Sequence, residues 1–377
     1  MSQHARVMPS GLHLTVPCPG SLQLQEQVVP TPLTHEQAEG EAGHLVARKH
    51  AEGFGEHWPV GRKLEIAGHS QPIEIDDDMI EGAAIYRDEA QPGGRYEESV
   101  SIPDVHPTEC WGTPDYWRYI IEVYLRLLKV IDYKYGHRYV EVFEHYQLIA
   151  YAAGIARFLG LPLDFPVVLV IVQPRNYTHG AVREWKTTVA EIYRLCAEKI
   201  APRVALALGP NPPTVVGKHC LDCRARHACK TLQMASASVV DFAGTAEIRD
   251  MPREAVGAEL RILLEAAKII DARFSGLYEQ ASNLARSGFS VAHWGLEAGN
   301  GRWKWKDDVT PDKIATLGDL FGLDLRKPMA VKTPTQCKQA GVDEGVLNEY
   351  AHRPPGAMKL VPDDTTRTRK IFGDNGK

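Results

Sequence analysis

A chain of 377 residues, 44% hydrophobic and 24% charged, has the makings of one large core or two ordinary ones, which excludes a disordered or fibrous protein. A net charge of −5 excludes a uniformly cationic nucleic-acid coat, although a local basic patch can still attract one. No apolar run approaches the ~20 residues needed to span a bilayer and no secretory signal pattern opens the chain, so a cytoplasmic protein without a membrane partner is expected.

In chain order, residues 1–30 read as loop, with Pro9, Pro17, Pro19 and Pro30 and a small turn at Cys18 to Ser21. Thr34 with Gln37 three residues on is a cap signature, and a helix is expected from there to about Gly53, carrying His44. Asp76 to Glu89 suits an amphipathic helix on Met79, Ile80, Ala83, Ala84 and Tyr86. Tyr96 to Ile102 follows a Pro-Gly-Gly turn and alternates as a strand, with Glu97 or Glu98 able to approach a site from a solvated edge. Asp115 to Ile121 and Leu125 to Tyr135 read as an antiparallel pair, although no turn residue separates them and a helix over 117–131 competes. Val140 to Leu159 is expected as a helix stopped by Gly160-Leu161-Pro162. Val167 to Gln173 suits a strand buried on both faces, and Trp185 to Lys199 a further helix. The expected fold is therefore α/β, a mixed sheet flanked by helices over residues 1–245. Residues 246–377 read as a mainly helical accessory domain, with a long helix over 253–286 and an aromatic hairpin near 295–308.

Chemistry concentrates in three places. Asp115, Asp132 and Lys134 combine two carboxylates with an ammonium, and Asp132 and Lys134 share a strand face. Such a set can bind a hard divalent cation and offset charge on a phosphoryl transition state, although D-x-K alone is commonplace. Gln147 and Tyr151 are four apart on a helix and point the same way, to support the lysine or touch a backbone. Cys220, Cys223 and Cys229 form C-x2-C-x5-C among Lys218, Arg224, Arg226 and Lys230, which favour thiolates and offer a basic patch for DNA. A fourth ligand from Cys18 would suit iron–sulfur or zinc, and His219 or His227 could complete a zinc site instead. Trp303 and Trp305, with Arg302, Lys304 and Lys306, could stack single strands, but an ordinary aromatic face is the commoner use.

Together the motifs CPGS, AEGxxxH, GTxD, VIDYKYG, QLxxYA, IVQPR and the cysteine box resemble the RecB-like branch of the PD-(D/E)XK nucleases, over roughly residues 12–235. The iron–sulfur members are the most similar: phage- and prophage-encoded RecB-type exonucleases, related to CRISPR adaptation and AddB-type nucleases. The resemblance implies a restriction-endonuclease-like core and a Mg²⁺- or Mn²⁺-dependent DNA exonuclease. His44, Asp115, Asp132 and the Tyr133 carbonyl would be metal ligands, Lys134 the catalytic lysine, and Gln147 and Tyr151 its support. Cys18, Cys220, Cys223 and Cys229 would hold a [4Fe–4S] cluster that staples the nuclease domain, with structural Zn²⁺ as the alternative. DNA is the implied substrate in a phage-infected or prophage-bearing bacterial host. A single-strand annealing protein and a second copy of the chain are candidate partners. The competing expectation is a non-catalytic DNA-binding scaffold.

Overall fold

The helix expected at Thr34 begins there because Thr34 and Gln37 cap each other. The Gln37 N–H donates to the Thr34 hydroxyl at 3.3 Å and the Thr34 N–H to the Gln37 side chain at 2.9 Å. The computed structural model describes residues 5–29, 32–53, 58–122, 125–176, 180–245, 253–300, 304–306, 308–326, 334–339, 341–352 and 355–362. It forms two compact units, Met1–Gly276 and Leu277–Lys377. No helix among the described residues is long and apolar enough to cross a membrane.

The opening segment is not the loop expected. It holds a 3₁₀ turn, Pro9–Gly11, and two short helices, α1 (Leu12–Thr15) and α2 (Gly20–Glu26). The prolines that suggested a loop sit where a helix tolerates them: Pro9 opens the 3₁₀ turn and Pro19 precedes α2. After α3 (His35–Ala51) come β1 (Lys63–Leu64) and β2 (Ile73–Glu74), which pair antiparallel. Next is α4 (Asp77–Glu89), capped by Asp76, whose carboxylate accepts the Met79 N–H at 2.9 Å. The single strand expected over 96–102 is two short ones, β3 (Arg95–Tyr96) and β4 (Val100–Ser101). Glu97, at φ 45°, breaks the run.

A five-stranded mixed sheet follows, in the order β3-β6-β7-β8-β9. β5 (Trp111–Gly112) pairs with β4 outside it. β6 (Tyr116–Ile121) and β7 (Arg126–Tyr133) are antiparallel, as expected, from Tyr116 opposite Ile131 to Ile121 opposite Arg126. The connecting residues 123–124 lie outside the described set. β7 then crosses through α5 (Tyr146–Leu159) to β8 (Pro166–Val172), which runs parallel to it.

The helix expected from Val140 starts only at Tyr146. Before it, the buried Gln173 side chain holds the chain open, donating to the Gly136 and Arg138 carbonyls at 2.7 Å each and accepting the Val140 N–H at 3.2 Å. Gly160, at φ 62°, closes α5 in the left-handed region. A second correction falls on Trp185, which lies on a strand. β9 (Val182–Thr188) pairs antiparallel with β8, and only then does Thr188 cap α6 (Val189–Leu195). A π-helical turn, Cys196–Ile200, continues α6 into α7 (Ala201–Leu208). Over Glu184 to Thr187 exposure alternates as on a strand, and the helical period belongs only to the second half, where Val189, Ile192 and Leu195 are buried.

Strand alternation divides the core between the two faces of the sheet. Leu128, Val130, Leu169 and Ile171 pack under α5 and α6, with Ile149, Ala153 and Ile192. Ile131, Tyr133, Val170 and Val172 pack under α3 and α4, with Ala42, Val46, Met79 and Ala83. Gly43 allows α3 to lie close, since a Cβ there would stand 2.5 Å from the Tyr135 ring. After a 3₁₀ turn at Lys218–Asp222 the unit contains α8 (Lys230–Thr245) and enters α9 (Arg253–Arg286).

In the second unit, β10 (Trp294–Asn300) pairs with β13 (Pro355–Pro362) and β11 (Lys304–Trp305) with β12 (Ala351–His352). Three helices accompany them: α10 (Pro311–Phe321), α11 (Pro334–Gln339) and α12 (Glu344–Tyr350). Ile314, Leu325, Cys337, Val342 and Leu347 form their core. Of the aromatic patch expected there, Arg302 and Trp303 lie outside the described residues.

Candidate active site at the end of the central strand

At the carboxyl end of β7 the two faces of the sheet meet. Asp132 points to the α5 side with Val130, while α3 brings His44 over the other face. Asp132 is 2% exposed, and its Oδ2 lies 2.9 Å from the Lys134 ammonium, which is 28% exposed. The Gln147 amide bridges the pair, its NH₂ donating to Asp132 Oδ1 at 2.8 Å and its carbonyl accepting from Lys134 at 3.2 Å. Those two bonds fix the orientation of the amide. Tyr151 lies one turn further along α5 on the same face as Gln147, and burial raises its pKa, so the phenol keeps its proton. Its hydroxyl also lies over Gly112, where a Cβ would come within 3.1 Å.

Asp115 immediately precedes β6. Its Oδ2 accepts the Tyr133 N–H at 2.7 Å and stands 3.7 Å from His44 Nδ1. The His44 ring meets Tyr133 edge-on, with centroids 5.2 Å apart. Burial pushes the Asp115 carboxyl above the ordinary range; His44 opposes this and Asp132 adds to it. Burial pulls the Lys134 ammonium down, but Asp132 and Asp115 outweigh it and hold the pKa above the ordinary lysine value. The ammonium therefore remains charged at neutral pH. The residues expected at one site, His44, Asp115, Asp132, Tyr133, Lys134, Gln147 and Tyr151, are thus neighbours.

Three further residues border it. Arg48 and Glu97 line, with His44, Ala47, Tyr86, Asp115 and Tyr133, a cavity of about 10 Å³, room for one water-sized particle. Of the two glutamates expected near the site, Glu97 reaches it, while Glu98 pairs with Arg95. His145, the residue before α5, has a buried Nδ1 that finds no hydrogen-bond partner among the described residues. Burial lowers its pKa, with Asp132 opposing. Its position two residues before Gln147 was the only signal available in the sequence.

The cysteine segment is a separate centre. Cys18, Cys220 and Cys223 are buried, Cys229 is half-buried, and all are free thiols. The Val215 N–H reaches the Cys18 sulfur at 3.3 Å and the Gly217 N–H the Cys220 sulfur at 3.5 Å. Burial is the main cause that raises the Cys223 thiol to about 11; the Ala225 N–H opposes it, and Cys18, Cys220 and Cys229 add smaller contributions, so these three lie within electrostatic reach of Cys223. Among the described residues, no three His, Cys, Asp or Glu side chains stand in a ready-made ligand group.

The amino-terminal segment is tied to this region by ordinary hydrogen bonds. Gln23 donates to the Ala207 and Gly209 carbonyls at 2.9 and 2.8 Å, and Arg203 to the Val16 and Pro17 carbonyls at 2.7 and 3.0 Å. Of the basic residues expected to meet DNA, Lys218, Arg224 and Lys230 are exposed and Arg226 is half-buried. Arg226 donates to the Cys223 carbonyl at 3.1 Å.

Fold and site together define an α/β protein whose central strand ends in a carboxylate–lysine–amide cluster. The chain belongs to the DUF2800 family, a family of proteins of unknown function, whose model matches residues 4–368.

Proposed function

We propose that this chain is a metal-dependent DNA nuclease with a restriction-endonuclease-like core of the RecB-like kind, acting as an exonuclease at DNA ends in phage-type recombination or end resection. The observation that carries this reading is the convergence of His44, Asp115, Asp132 and Lys134 at the end of β7, from both faces of one sheet. Two carboxylates and an imidazole are a fitting donor set for Mg²⁺ or Mn²⁺, and His44, Asp115, Asp132 and the Tyr133 carbonyl would hold it. When bound, the cation supplies Lewis acidity toward a phosphodiester and makes water more acidic. The chain's own part is positional and electrostatic. The Lys134 ammonium, held 2.9 Å from Asp132, would offset negative charge growing on the phosphate or orient the attacking water. Gln147 sets the distance between that ammonium and Asp132, and Tyr151 would support Gln147 from the same face of α5.

The thiols of Cys18, Cys220, Cys223 and Cys229 fit a [4Fe–4S] cluster, being free and mostly buried, with backbone N–H groups on Cys18 and Cys220. Structural zinc is the other occupant this set would take. The function is tested by digesting end-labelled linear DNA, 5′ against 3′ label, with Mg²⁺ and with Mn²⁺. Asp132→Ala and Lys134→Ala should abolish product while still binding DNA. Wild-type digestion by either variant would remove this assignment, and binding without product from the wild type would favour the scaffold.

A further inference from the structure

Arg48 and Glu97 share the small cavity with His44 and Asp115, yet neither belongs to the ligand set or to the lysine and its support. Arg48 follows His44 by one turn of α3 and so lies on the same face. Its Nε donates to Glu52 at 2.6 Å and its Nη1 to the Glu97 carboxylate. The rest of the guanidinium has no partner among the described residues. Arg48 is 35% and Glu97 41% exposed, so a ligand can reach both.

Glu97 is held there by its backbone. Its φ of 45° lies in the left-handed region that side-chain-bearing residues rarely adopt. Its N–H donates to the Pro114 carbonyl at 3.1 Å, one residue before Asp115. Arg95 and Glu98 pair with each other, leaving Glu97 as the carboxylate of this run that lines the cavity. Strain of this kind persists where surrounding structure over-determines a position, and such positions cluster at functional sites.

We infer that Arg48 contacts a backbone phosphate of the DNA, and that Glu97 is the positioning residue that keeps Arg48 aimed at the site until that phosphate replaces it. This rests on the nuclease reading above. A forked guanidinium matches two phosphate oxygens as it matches a carboxylate, so Glu97 occupies the place of the incoming group. Arg48 pairs with Glu52 and Glu97 rather than with Asp115, so it leaves Asp115 free for a cation. A contact to phosphate carries no sequence preference, which suits an enzyme acting on any DNA end.

The test uses the full chain and a fluorescent duplex of fixed sequence. Affinity is measured in EDTA across a salt series, and KM and kcat with Mn²⁺. Arg48→Ala should weaken binding about tenfold, reduce the salt slope by about one phosphate contact, and raise KM more than it lowers kcat. Arg48→Lys should recover part of that loss, because the charge remains without the fork. Glu97→Gln should do the reverse and tighten metal-free binding about threefold, since it removes a like charge and a competitor for Arg48. If Arg48→Ala fails to fold, as thermal melting would reveal, Arg48→Lys and Glu97→Gln carry the test. Unchanged affinity and KM in the folded Arg48 variants, or weaker binding by Glu97→Gln, would overturn the inference while wild-type digestion stood. A wild type that neither binds nor digests DNA would remove the nuclease reading itself, and this inference with it.

Discussion

Gln147 joins the two charged members of the site, and its replacement separates positioning from charge. Asp132 and Lys134 attract each other without it, but nothing else described sets their angle. Gln147→Ala should lower kcat about a hundredfold with KM little changed, the scale on which small misplacements of a reacting group are felt. Single-turnover digestion would measure it. Asp76, outside the site, gives a pH signature. Burial raises its pKa above 3.8, only partly opposed by the Met79 N–H, while Asp78 and Glu39 add to the rise. A carboxyl with a raised folded pKa holds its proton more tightly when folded. Its contribution to stability therefore falls as pH rises from 3.8 through the raised value, and stays low at neutrality. Asp76→Asn keeps the capping acceptor and should be the more stable at neutral pH, with the gap closing in acid, as urea midpoints would record. At this scale the sequence was most legible where residues are spaced by one element, as Asp132 is from Lys134 and Gln147 from Tyr151. Arg48 and Glu97 meet across 49 positions, and no local pattern announces that.

Among the elements, the hairpin of β6 and β7 could be read without a marked turn, because Tyr, Ile, Val and Leu fill both strands. The start of α5 and the strand at Trp185 could not. One depends on the Gln173 side chain reaching back to residues 136–140, the other on an edge position beside β8. In both, a partner distant in sequence overrides local preference. The cysteine segment gives this scale its prediction. Anaerobically purified protein should be brown, and Cys223→Ser should bleach it. A colourless protein with one zinc would replace the cluster by a structural metal and leave the nuclease reading untouched.

For the molecule as a whole, a cation held by the folded site alone must stabilise the fold. Adding Mn²⁺ to metal-free protein should raise its thermal midpoint, by about 2.7 kcal/mol of stability at a hundred times the dissociation constant. Asp132→Ala should lose that rise. The negative total charge gave no hint of where a substrate would bind, because −5 is a sum over all 377 residues, whereas the proposed site relies on single cations such as Arg48 and Lys134.

The bonds from Gln23 to residues 207 and 209, and from Arg203 to residues 16 and 17, also order events in time. These bonds of the opening segment cannot form until more than 180 further residues have been made. At 5–20 residues per second that is a wait of about 10–40 s. Leu14, which packs with Cys223 and Ala225 in the finished fold, likewise lacks these partners on the growing chain. This unit therefore closes its opening segment only after its later part, through residue 225, has been made.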